Sequence, residues 1–259
     1  MNRRELIFGS FAASGLTCLT TGLAFAEEGD TQPPPKSKKK IPPTFVPEVP
    51  KIISRCGREI PALCRKIQRD MNAITKVYRA MIADAERRLK AGGLDKTAER
   101  NLKGMLKFLR RKNNEMTENA TGKSASYIRA ANKKAGLSFC EKAALFLRKA
   151  AGNSSDYRKR GRTNRQRVQD IKDARKNLRT ATRIISQATS TAVRKARSGE
   201  SALSRTRKAK GTSGIYSAKR QAAIDIAVRK LMNASGLIFD ANDKERELQT
   251  ISFRIYGKA

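Results

Sequence analysis

The sequence predicts an all-α protein, an elongated helical bundle or coiled-coil-like body of about five to seven helices. That body stands behind a cleaved signal peptide and a Pro/Lys-rich linker. Three observations carry the prediction. From Ile60 to Leu89 the apolar residues Ile60, Cys64, Ile67, Met71, Ile74, Tyr78, Met81 and Ala85 recur in alternating steps of four and three. Such spacing keeps one continuous seam on a helix. No segment alternates with period two, and the β-branched residues are scattered, so strands find no support. The apolar fraction is 39%, close to ordinary globular usage, while the formal net charge is +34. Wholesale disorder is therefore excluded, and charge of that size points to a polyanion or an acidic surface as partner.

Residues 1–26 read as an export signal. Arg3 and Arg4 form the charged start, Leu6 to Ala24 a weakly apolar middle, and Ala24-Phe25-Ala26 a small-x-small cleavage site. Within it, Asn2-Arg3-Arg4-Glu5-Leu6-Ile7 resembles the bacterial twin-arginine signal, in which two arginines precede a variable and then apolar residues. The resemblance implies export of an already folded chain to the periplasm or beyond. The family pattern prefers Ser or Thr before the pair and Phe where Leu6 stands, so the Sec route stays open beside it.

Residues 27–51 are expected to be a disordered tether. Pro33, Pro34, Pro35, Pro42, Pro43, Pro47 and Pro50 favour extended polyproline II, and Lys36, Lys38, Lys39 and Lys40 keep it solvated.

Residues 52–152 form the first expected subdomain, led by the long helix already described. Gly92-Gly93 stops that helix and Asp95 starts a second, with Ala98, Leu102, Met105, Leu106 and Leu109 on one side. Ser124 opens a third, which ends at Gly136. Ser138 and Glu141 make a capping box before a short helix striped by Cys140, Ala144, Leu147 and Ala151 and closed at Gly152-Asn153.

Residues 153–259 form the second, basic subdomain, expected to pack on the first. Its long helix runs from about Arg162 to Arg197, with a seam of Ile171, Ala174, Leu178, Ala181, Ile185, Ala188 and Ala192. Ser198 to Gly214 reads as a loop. Two further helices are expected, near Tyr216–Ala234 and Ala241–Tyr256, the last capped by Asp240.

Three cysteines lie beyond the leader. Cys56 and Cys64 are eight residues apart, about 12 Å along an unbroken helix, too far for a disulfide unless the chain turns between Gly57 and Pro61. Cys64 and Cys140 both fall on apolar stripes, so a clamp between those helices competes with inert buried thiols.

The segment from Tyr157 to Gly211 carries the most functional information. Eighteen Lys and Arg residues stand there against Asp170, Asp173 and Glu200 alone. At about 100° per residue, Arg165, Lys176, Arg179, Arg183 and Arg194 fall within about 40° of Lys172, and the seam residues Ile171, Leu178, Ile185 and Ala192 lie roughly 100° to 160° away. One side of this helix is therefore a row of cations without the i,i+4 acidic partners that usually neutralise such a face. These six residues are the candidate polyanion-binding site. Aromatics near the row are limited to Tyr157 and Tyr216, which favours contact with backbone phosphates or head groups over base stacking.

Catalysis is not expected. Histidine is absent, which removes imidazole bases, Ser-His and Cys-His pairs and imidazole metal ligands. Lys210 to Gly214 lacks the order and preceding strand of a phosphate loop. Glu115 and Glu118 share a helix face, but in no apolar setting that would split two pKa values, and Asp84 and Glu86 do not face each other. No cofactor and no metal site is expected. The sequence thus points to an exported, non-catalytic basic helical protein that binds nucleic acid, anionic lipid or lipopolysaccharide, or a cell-wall polymer by electrostatics. The alternative is a coiled-coil or chaperone-like structural or assembly component of the bacterial envelope or a secretion apparatus, self-associating through its seams.

Overall fold

A computed structural model describes residues 45–122, 137–207 and 209–257. The expected signal at 1–26, most of the linker and the expected helix from Ser124 to Gly136 lie outside the described residues. Five helices occur among those described: α1 (Glu48–Ala91), α2 (Lys96–Thr121), α3 (Phe139–Arg158), α4 (Asn164–Thr206) and α5 (Ala218–Tyr256), with no strand. All belong to one compact unit, Ile41–Ala259, and the division expected at 152/153 falls inside α3.

Helix α1 is central and touches the other four, while α4 packs chiefly on α3 and α5. The eight seam residues from Ile60 to Ala85 are all buried. The seam also starts earlier than the sequence reading placed it. Val49, Ile53 and Cys56 continue its steps of four and three and are buried, so residues 48–51, expected in the tether, belong to α1. Pro50 in the first turn costs no hydrogen bond, because the N–H it lacks would have had no partner in the helix. Pro61 lies within α1, where its ring is set against the carbonyl of Gly57 four residues back. Burial of the flanking seam carries the helix through both, so no turn separates Cys56 from Cys64.

Capping fixes the starts. Asp95 accepts from the Ala98 N–H, Ser138 and Glu141 form the expected box, and Thr163 with Gln166 forms a second one. Helix α2 ends at Gly122 (φ 72°), where a β-carbon would run into the backbone of Leu137, so glycine is required there.

Three expected helix ends are corrected. Helix α3 does not close at Gly152-Asn153. Ala150, Ser154 and Tyr157 are buried, and the Asn177 amide of α4 donates to the Asn153 side chain at 3.0 Å. Its buried stripe is Phe139, Ala143, Ala150 and Ser154; Cys140, Ala144 and Leu147 are half-buried and Ala151 is exposed. Helix α4 runs on to Thr206, held by buried Gly199 and Leu203, which removes much of the expected loop. The two expected C-terminal helices are one. Ala234, Ile238 and Ala241 carry a buried seam across Gly236, and Asp240 is an exposed mid-helix residue, not a cap. Packing against α1 and α4 outweighs the cost of about 1 kcal/mol for a mid-helix glycine.

Phe45, Tyr157 and Arg167 interlock. The two rings lie 5.4 Å apart, the guanidinium stacks 5.4 and 5.2 Å from their centroids, and the Tyr157 hydroxyl accepts from the Val46 N–H at 2.8 Å. This joins the start of α1 to the α3–α4 turn.

Candidate polyanion-binding face

The seam of α4 is rich in alanine, which lets α3 and α5 approach closely and turns the long side chains outward. Ile171, Ala174, Leu178, Ala181, Ile185, Ala188 and Ala192 are all buried. Arg165, Lys172, Lys176, Arg179, Arg183 and Arg194 are all exposed. Among the described residues no carboxylate forms an ion pair with any of the six. From Arg165 to Arg194 the row extends about 43 Å at 1.5 Å per residue. At its middle, Lys172, Arg175, Lys176, Arg179, Thr180 and Arg183 surround a surface groove of about 490 Å³. Arg165 and Arg194 stand outside that groove.

Arg175 borders the groove yet is compensated: its Nε donates to Glu245 of α5 at 2.6 Å, and Glu245 is buried. Sequence spacing had no means of finding this pair, since seventy residues separate its members. Other cations of the segment are likewise committed. Lys159 pairs with Asp156 at 2.7 Å, Arg162 lies 3.4 Å from Asp170, and Lys210 reaches Asp95 at 2.6 Å. The hydrogen bond from Lys159 holds the Asp156 carboxyl below its ordinary range, and Lys210 does the same for Asp95. Arg167 is buried and donates to the carbonyls of Tyr157 and Lys159.

Both aromatics expected near the row, Tyr157 and Tyr216, are buried and cannot meet a ligand. The fold instead sets α5 beside α4, through Arg175 with Glu245, Thr182 with Asn242 at 2.7 Å, and Arg197 with Met232 at 3.0 Å. The exposed apolar residues of α5 thereby come within the same region.

Cys64 and Cys140 are joined as a disulfide with a Cα–Cα distance of 5.7 Å, clamping α1 to α3, and Cys56 is free and buried. Three of the four carboxylates weighed as acid–base candidates sit in ion pairs: Asp84 with Arg220, Glu86 with Arg110 at 2.7 Å, and Glu115 with Lys112 at 3.0 Å. In the 210–214 segment the Thr212 hydroxyl is buried and donates to the carbonyl of Ala209 at 2.7 Å, which makes the segment a closed turn. A different polar cluster was not legible in sequence. The Gln221 amide donates to Glu200 at 3.2 Å and to Asp225 at 3.1 Å, and burial together with Asp225 pushes Glu200 up to about 7. Among the described residues no group of three or more Cys, Asp or Glu could hold a metal ion, and no helix is long and apolar enough to cross a membrane.

No protein-family model matches this chain, and no curated protein matches it either.

Proposed function

We propose that this chain is an exported, non-catalytic protein that holds an anionic polymer or surface on the cationic face of α4. The observation that supports this reading is the row of six exposed cations with no acidic partner among the described residues, set opposite a buried seam. Export is supported by the Arg3-Arg4 leader and its small-x-small site, and a disulfide suits an oxidising compartment.

Binding of this kind works by counterion release. If six phosphates are neutralised, affinity falls roughly a thousandfold between about 50 and 200 mM salt. The test is retention of the full chain on an anionic matrix, with Lys176, Arg179 and Arg183 changed together to Glu. Retention should be abolished while helicity persists, because all three side chains are exposed. Unchanged retention would overturn the reading. The alternative, a structural or assembly component, draws support from the apolar residues exposed on α5. Assembly of that kind would persist or strengthen in high salt.

A further inference from the structure

We infer that the surface shared by α4 and α5 docks on an anionic lipid bilayer, the α4 cations meeting phosphate head groups while Phe239 and Phe253 enter the interface. This lipid contact rests on the polyanion reading of α4 and narrows its partner.

Phe239 is 68% exposed, Phe253 63% and Met232 46%, on a helix that also carries the buried seam of Ile224, Leu231, Ile238, Leu248 and Ile255. At about 100° per residue these three lie within about 60° of one another, and the two rings are about 21 Å apart along the axis. The contacts between the helices place this stripe. Moving round α4 from buried Leu178, one meets Thr182 and Arg175, which touch α5, and then the exposed Arg179 and Lys172. Moving round α5 from buried Ile238, one meets Asn242, which touches α4, and then Phe253 and Phe239. Both exposed rows therefore open on the same side of the α4–α5 contact. The same stripe carries Arg246, paired with Asp243 at 3.1 Å, and Arg197 caps its Met232 end.

Charge complementarity selects the occupant. Exposed phenylalanines flanked by cations match the boundary between head groups and acyl chains, where apolar side chains and positive charge are satisfied together. Rings about 21 Å apart cannot stack on successive bases of a single strand. No described helix can span a bilayer, so the contact lies on the surface.

The sequence contains no tryptophan, so Phe239→Trp supplies a single reporter. In the full chain its emission should shift to the blue with vesicles containing phosphatidylglycerol and stay unshifted with phosphatidylcholine alone. Phe239→Ser with Phe253→Ser should weaken partition onto the anionic vesicles at least about tenfold and leave duplex DNA binding unchanged. A melt matching that of the unaltered chain would show that the fold is intact. If the protein binds the vesicles but the Trp emission does not move, the insertion is overturned while the polyanion reading stands. Loss of self-association, or of single-stranded DNA binding, without loss of vesicle binding would overturn it in favour of a second copy or of base stacking. Failure to bind vesicles or DNA at all would remove both readings.

Discussion

The hydroxyl of Tyr78 in α1 fills the space that a β-carbon on Gly199 of α4 would need. The ring is completely buried, the hydroxyl has no hydrogen-bond partner, and burial pushes the phenol far above its ordinary range. Gly199→Ala should therefore cost about 1–3 kcal/mol from overpacking, although alanine is the better helix former by about 1 kcal/mol. Tyr78→Phe should be neutral or stabilising, since it removes an unsatisfied polar group. In that background Gly199→Ala should lose most of its penalty. Urea melts of the four variants measure the coupling, and additive losses would exclude the contact.

Glu200 makes stability depend on pH in a defined direction. Its ordinary value is 4.5 and the folded value is about 7, so the folded state holds the proton more tightly. Its contribution is fully present below about 4.5 and is lost as pH rises through about 7. Tyr78 and Tyr216 face it from α1 and from the turn before α5, and Arg197 opposes the shift weakly. Glu200→Gln should flatten the melting temperature profile across this window and raise it on the alkaline side. Parallel profiles for variant and parent would show that Glu200 titrates normally.

The disulfide closes a span of 76 residues between α1 and α3. Reduction, or Cys140→Ala, should lower stability by about 2–5 kcal/mol. Cys56 should behave in the opposite way to an exposed thiol. Burial, helped by Glu59, pushes it up to about 11, so alkylation of native protein should spare it and labelling should follow unfolding. Peptide mass mapping with and without denaturant distinguishes these outcomes, and rapid native labelling would contradict the packing of α1.

Arg175 and Glu245 tie α4 to α5 across a buried carboxylate. Arg175→Met should cost about 2–3 kcal/mol, discounted from the fully buried case because the arginine is partly exposed. Replacing both residues by Met should recover much of the loss. If Arg175→Met alone is silent in a thermal melt, the pair is not coupling the helices.

The seams of α1, α2 and α4 were legible because helical periodicity is a local property, written into residues three and four apart. Ile60 to Ala85, Leu102 to Leu109 and Ile171 to Ala192 all went inward as their spacing requires. So was the exposed cationic row on α4, since its angular position follows from the same period. Local breakers misled at Gly152 and Gly236, where burial on neighbouring helices outweighs an intrinsic cost of about 1 kcal/mol for glycine.

By itself, then, the sequence determined an all-helical body, which faces of its long helices turn inward, and where unopposed positive charge gathers. Only the tertiary structure decided that Glu245 neutralises Arg175, that Tyr157 and Tyr216 are buried, and that α5, with Phe239 and Phe253 exposed, packs against α4. The division has a physical cause. A helix's faces are set by neighbours within one or two turns, whereas its partners depend on how the described helices share one core, and no spacing along the chain encodes which surfaces will meet.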